Sequence, residues 1–272
     1  MNGPVDSLIF IGGLCVLSCA VFGALLSGIR HEGGKVRAKT YDLPELLISL
    51  VLGGFFAALV VKSVLRPDAA DAPKVTLDQV LPNAALFAAM FIAIALFLRF
   101  RGIDLTRALG LDRVPVVRAV AIGFALILAA LPLVIGASLI MQKVLLQDAQ
   151  EQELVTLFRQ AAHEANRSAL GQIFFAGAVV APICEEFLFR GFFYVVFKRY
   201  LGAVASALLT SALFAAFHVS LTAFPSLFLL ALCFTIAYEA TGSLFVPITM
   251  HALFNGAQLS FLYYMTRAGT PA

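Results

Sequence analysis

Two adjacent carboxylates and a guanidinium stand inside a long apolar run. The stretch is Pro182-Ile-Cys-Glu-Glu-Phe-Leu-Phe-Arg-Gly191. Its flanks are Ile173-Phe-Phe-Ala-Gly-Ala-Val-Val-Ala181 and Phe192-Phe-Tyr-Val-Val-Phe197. The three charges therefore fall near the middle of a segment long and apolar enough to cross a bilayer. A charge at the bilayer centre costs at least about 2.5–3.5 kcal/mol and marks a functional site by default. Downstream, His218 closes the apolar run Phe214-Ala-Ala-Phe-His218, and His251 and Asn255 lie inside Pro247-Ile-Thr-Met-His-Ala-Leu-Phe-Asn255. One intramembrane imidazole is ordinary interhelical packing. Two imidazoles, an amide and an acidic pair within a third of the chain form a set that packing does not require.

Helix periodicity sorts this set. Glu186 and Arg190 are spaced i, i+4 with the acid on the N-terminal side, so they share a face in the favourable order and can neutralise each other. Glu185 is rotated by about 100° and points to a different neighbour. His251 and Asn255 also share a face at i, i+4. The simplest expectation has Glu185 facing His218 and the His251/Asn255 face across a small wet cavity, with Glu186 and Arg190 as a structural brace behind it. That arrangement suits hydrolysis. A glutamate withdrawn from bulk water can act as general base, a histidine can hold the water, and a second imidazole and an amide can donate to the oxyanion of a tetrahedral intermediate. No serine sits in a nucleophile elbow, and Cys184 has no imidazole at a fixed spacing to activate it. His31 and His163 lie in polar connections and read as solvated surface. Cys15, Cys19, Cys184 and Cys233 lie in apolar runs without a Cys-x-x-Cys pair, and read as small hydrophobes rather than disulfide partners or metal ligands.

The elements that must position these residues follow from composition. Of 272 residues, 61% are hydrophobic and only 13% charged, with a mean hydropathy of +0.95. Soluble domains carry about 25% charged residues, so the chain reads as an all-α, polytopic membrane helix bundle. Eight apolar spans are expected, near 8–29, 45–65, 83–100, 116–141, 170–197, 203–220, 224–240 and 244–265, each close to the ~20 residues needed to cross. The first is expected to be a membrane span rather than a cleaved leader, since no basic region precedes it. The connection from Gln142 to Ala169 has room for a short amphipathic helix lying on the surface. The first four spans carry almost no ionisable group, which divides the chain into a transmembrane scaffold (1–165) and a catalytic helix core (166–272).

Loop charges orient the spans. The first, third and fifth connections hold eleven basic residues, among them Lys35, Arg37, Arg107, Lys198 and Arg199, whereas the second and fourth hold three each, including Arg66 and Lys74. The positive-inside rule then places both termini outside and the odd-numbered connections in the cytoplasm. The expected location is the cytoplasmic membrane of a prokaryote. The basic residues form no patch for nucleic acid, so the expected partners are the lipid bilayer and a membrane-associated peptide or protein substrate.

The ordered set Glu185-Glu-x-x-x-Arg190, Phe214-x-x-x-His218 and His251-x-x-x-Asn255, on successive late spans, resembles the motifs of the CPBP intramembrane proteases. These include the type II CAAX prenyl endopeptidases and the Abi or bacteriocin-immunity proteins. The resemblance covers about 180–256. It implies an intramembrane endopeptidase in which Glu185 is the general base acting with His218 on water, His251 and Asn255 stabilise the oxyanion, and Glu186 and Arg190 support the site. The family is often labelled metalloprotease. The zinc helix motif His-Glu-x-x-His is absent here, yet Glu185, His218 and His251 could form a His₂Glu site of the catalytic zinc type. No cofactor is required on the favoured, metal-free reading, because Asn255 is a poor zinc ligand on the same face as His251. Two other functions compete: a non-enzymatic immunity or binding protein with the same fold, and a proton-coupled transporter. A transporter is expected to place its polar groups in matching halves of the chain, and here they lie in one half.

Overall fold

The structure is a computed structural model that describes residues 4–65, 76–145 and 153–268. The helices α1 (Pro4–Glu32), α2 (Leu43–Leu65) and α3 (Leu77–Phe100) are followed by the single turn α4 (Leu105–Ala108), α5 (Val116–Leu145) and the short α6 (Glu153–His163). A helical run from Arg167 to Phe217 comes next, and then α10 (Phe224–Thr241) and α11 (Phe245–Arg267). The long run is not one regular helix. It consists of α7 (Arg167–Phe175), a π-helical turn π1 (Ala176–Val180), α8 (Ala181–Glu186), a second π segment π2 (Phe187–Tyr194) and α9 (Val195–Phe217).

A run of 51 residues would extend about 75 Å if straight, against a hydrocarbon core of about 30 Å. It breaks instead at Gly202, whose backbone (φ 78°, ψ 170°) lies in a region essentially reserved for glycine. Six helices are long and apolar enough to cross a membrane, with the long run counted once. Dividing that run at Gly202 and adding α11, which carries His251 and Asn255 among its apolar residues, gives the eight expected spans among the described residues. The short amphipathic helix expected after Gln142 is α6. Its inner face, through Phe158 and Ala161, packs on Ile173 of α7 and Leu259 and Leu262 of α11. The Asn166 side chain caps α7 by accepting from Ala169 N at 3.1 Å.

The first, third and fifth connections meet at one end of the bundle, with the α10–α11 turn among them. Lys35 N donates to Glu239 O (2.9 Å), and Leu244 N donates to Leu109 O (3.0 Å). Arg199 pairs with Asp42 (2.7 Å), Arg101 pairs with the fully buried Glu45 (3.0 Å), and the Arg113 guanidinium donates to Lys35 O. The basic connections thus share a face, as the alternation of eight spans requires. Arg66 and Lys74 lie outside the described residues.

The most enclosed part of the molecule is π2, every residue of which is buried. Its phenylalanines pack edge-on: Phe187 on Phe91 of α3 (4.5 Å between centroids) and Phe189 on Phe214 of α9 (5.2 Å). In a bilayer such packing, rather than the hydrophobic effect, holds helices together, and each aromatic pair adds about 0.5–1.5 kcal/mol.

Candidate active site

The site begins with a proline. Pro182 has no N–H to give, and its ring crowds the carbonyl four residues earlier, so the preceding turn cannot be a regular α-helix. It widens into π1, where the Ala181 N–H reaches back to Ala176 O. The Gly177 carbonyl then loses both of its helical donors: the Ala181 N–H is used elsewhere, and Pro182 has none. Asn255 of α11 fills the gap, its Nδ2 donating to Gly177 O at 2.8 Å. Helix α8 follows and presents Glu185 and Glu186 at its C-terminal end, just before π2.

Glu186 is fully buried and accepts from two sides on one oxygen. Arg190 Nη1 lies 2.8 Å from Oε1, and His251 Nδ1 lies 2.8 Å from the same atom. Arg190 is equally buried; its Nη2 donates to Ala231 O (3.1 Å), and its guanidinium lies over the rings of Phe214 (4.6 Å) and Phe234 (5.2 Å). Phe234 also stacks on the His251 imidazole at 5.2 Å, while Phe214 meets that imidazole edge-on at 5.6 Å. Two aromatic rings from α9 and α10 therefore hold the cation and the imidazole together. A buried ion pair is tolerable only with such geometry and added hydrogen bonds.

With Nδ1 held by Glu186, His251 turns Nε2 toward Glu185, whose Oε2 is 3.9 Å away. That distance is too long for a direct hydrogen bond, and a water seated beside the pair can reach both atoms. Glu185 Oε2 is buried and has no hydrogen-bond partner. The Glu185 side chain retains 12% exposure against 3% for His251, so it stands on the more open side of the pair.

The expected assembly changes in three places. Glu185 faces His251, as expected, but makes no hydrogen bond or ion pair with His218. The Glu186–Arg190 pair does not stand behind the site but grips the His251 ring. Asn255 does not pair with His251, because the carbonyl orphaned by Pro182 claims its amide. His218 ends α9, where the backbone tightens: His218 N bonds Ala215 O and Val219 N bonds Ala216 O. The Phe214 carbonyl is left over, and the His218 ring takes it through Nδ1 at 2.8 Å. His218 makes no hydrogen bond or ion pair with either glutamate. Its Nε2 remains free of that bond. His31 and His163 are exposed, and Cys15, Cys19, Cys184 and Cys233 are free thiols.

Among the described residues, no three His, Cys, Asp or Glu side chains converge closely enough to hold one metal ion. Glu185, His218 and His251 do not fit a shared zinc in this arrangement, since His218 stands apart from the other two.

Sequence periodicity did not single out Phe234, Gly177, Tyr41 or Glu239. Phe234 and Gly177 carry no signal distinguishable from apolar filler. Glu239 does carry one: it is an unmatched acid in the last turn of an otherwise uncharged span. It accepts from Tyr194 OH (2.5 Å) and pairs with Lys198.

A membrane-spanning helical bundle that encloses paired carboxylates, two imidazoles and an amide is an integral membrane protein with a polar centre inside its helices. Residues 168–257 match the family model described as Rce1-like, type II CAAX prenyl endopeptidase Rce1-like. The matched segment contains Glu185, Glu186, Arg190, His218, His251 and Asn255, and it agrees with the CPBP resemblance of the motifs. It supports a CAAX-type intramembrane protease in general. No curated protein and no solved structure matches the chain.

Proposed function

We propose that the protein is an intramembrane endopeptidase that hydrolyses a peptide bond of a membrane-associated peptide or protein, with Glu185 as general base. The observation that carries this reading is the pair Glu185 Oε2 and His251 Nε2, 3.9 Å apart, with the carboxylate oxygen buried and unpaired and the imidazole held at Nδ1 by Glu186. A water between them gives its proton to Glu185 while its oxygen attacks the scissile carbonyl carbon. The oxyanion that forms is met by His251, when Nε2 carries a proton, and by the second N–H of the Asn255 amide. Glu185 then delivers its proton to the leaving amine, which closes the proton balance. His218, with Nε2 unengaged, is the second partner for the water. It must come closer than in the free protein, and catalytic hydrogen bonds often tighten only once substrate is bound.

Glu186 and Arg190 support this chemistry without touching substrate. They hold His251 in one orientation and neutralise the charge that a buried carboxylate would otherwise leave uncompensated. The family match supports the reaction class; whether the substrate is prenylated belongs to the substrate itself.

The test compares membrane peptides from cells carrying the wild type and Glu185→Gln. A specific fragment present only with the wild type, at equal protein abundance, is the expected result. Identical peptide profiles would return the protein to the class of non-enzymatic binders.

A further inference from the structure

The segment that carries Arg190 is held by a part of the chain with no chemistry of its own. Segment π2 follows Glu186 directly, and its geometry fixes how Arg190 meets that carboxylate. Where π2 joins α9, the Val195 N–H turns to Phe192 O, so the usual donor four residues after Gly191 is not available to Gly191 O. The hydroxyl of Tyr41, in the first connection, donates to that carbonyl at 3.1 Å. Tyr41 is completely buried. Burial, and then the neighbouring Glu45, push its phenol well above the ordinary value, so it stays a donor throughout the physiological range.

Two further features enclose the same segment. Gly191 has no room for a side chain, since a Cβ there would lie 2.8 Å from Leu109 Cδ2 and 3.5 Å from Leu244 Cδ2. At the other end of π2, Tyr194 donates to Glu239 Oε1 at 2.5 Å. The same carboxylate pairs with Lys198 and accepts from Val36 N (3.4 Å). Lys198 Nζ in turn donates to Val36 O (2.9 Å). A Cβ at Gly34 would collide with the Glu239 carboxylate, so glycine there lets the connection lie flat on it. The first connection therefore grips π2 directly at Gly191 and, through Glu239 of α10, at Tyr194.

We propose that the first connection, residues 33–42, is a positioning element of the site, with Tyr41 as its positioning residue: it holds π2 in register and, through Arg190 and Glu186, fixes the orientation of the His251 ring. This rests on the reading of Glu185 and His251 as the reacting pair, but its test does not need turnover.

The experiment uses the full chain in lipid nanodiscs, with ¹⁵N-labelled histidine. Tyr41→Phe removes one hydroxyl and keeps the ring; Tyr200→Phe makes the same change at an exposed tyrosine. The expected result is that Tyr41→Phe shifts or broadens the His251 ring signals and leaves those of His31 and His163 in place, while Tyr200→Phe moves none of them. Where a cleaved substrate is in hand, kcat falls about tenfold or more with KM unchanged, the pattern of a displaced catalytic group. Tyr194→Phe, which loosens the second grip, is expected to move the His251 signals in the same direction and serves in place of Tyr41→Phe if that variant does not fold. His251 signals identical to wild type in a folded Tyr41→Phe or Tyr194→Phe would overturn the proposal, as would a lowered melting temperature with unchanged His251 signals. If the wild type cleaves nothing while Tyr41→Phe still moves His251, the protease reading fails and the positioning inference stands.

Discussion

Glu186 Oε1 accepts from both Arg190 and His251, and this shared atom separates stability from chemistry. Arg190→Ala leaves the buried Glu186 carboxylate without its cation and with only the His251 ring against Oε1, a loss of up to about 3–5 kcal/mol, so less folded protein and a lower melting temperature are expected. The double variant Glu186→Gln with Arg190→Met removes both charges and is expected to recover abundance relative to Arg190→Ala. It is not expected to recover cleavage, because the His251 ring loses its anchor. Normal accumulation and melting of Arg190→Ala would contradict this account. Asn255→Ala strips the Asn255 side-chain donor from Gly177 O and, on the proposed mechanism, also removes an oxyanion donor. It is expected to cost about 1–3 kcal/mol in stability and about 10²–10³-fold in kcat, read from a melt and a progress curve of the same preparation. The metal question has its own readout. Purified protein is expected to retain activity after prolonged chelation. About one zinc per chain, lost in both His218→Ala and His251→Ala, would make the histidines ligands instead. At this scale the sequence was informative where partners sit on one helix: Glu186 and Arg190 are neighbours at i, i+4, and they pair. It was silent on partners chosen by leftover backbone groups, which is how Asn255 came to serve Gly177 and His218 came to serve Phe214.

Two elements decide how the side chains meet. The turn π1 exists because Pro182 cannot donate, and it offsets α8 from α7 ahead of the two glutamates. Pro182→Ala is expected to let the helix close regularly. Its protein should melt no lower than wild type, yet cleave less, because Glu185 and Glu186 turn away from His251. Equal cleavage would mean that the site tolerates either register. The break at Gly202 is different in kind: it separates two spans and touches no catalytic group. Gly202→Ala is expected to cost about 1–3 kcal/mol, since few other residues reach its backbone angles, with kcat per folded molecule unchanged. Apolar runs, with Lys198 and Arg199 between the fifth and sixth, made the spans legible, and the amphipathic segment after Gln142 announced α6. The π segments were not legible, because an α-period reading has no way to show where a helix will widen. Pro182 was the one visible sign, and the donors that complete each π segment, Tyr41 and Asn255, lie far away in sequence.

At the scale of the whole molecule, the first, third and fifth connections converge on one end of the bundle, and the positive-inside rule assigns that end to the cytoplasm as an expectation to be tested. In a chain freed of its four native cysteines, a cysteine at position 35 or 107 is expected to label only after permeabilisation, and one at position 156 without it. The reverse pattern would invert the orientation and leave the site intact. The division into an inert scaffold and a catalytic core, natural in the sequence, omits the hydrogen bonds that join Tyr41 and Val36 to the site-bearing run, at Gly191 O and Lys198 Nζ. What the account claims above all is that Glu185 activates water inside this bundle. The most direct measurement reconstitutes wild type and Glu185→Gln in proteoliposomes, matched for folded protein. It then follows cleavage of the substrate found in cells, in water enriched in ¹⁸O. The account predicts one solvent oxygen in the new carboxylate with the wild type and essentially no fragment with Glu185→Gln. The same fragment appearing at a near wild-type rate from Glu185→Gln would contradict it.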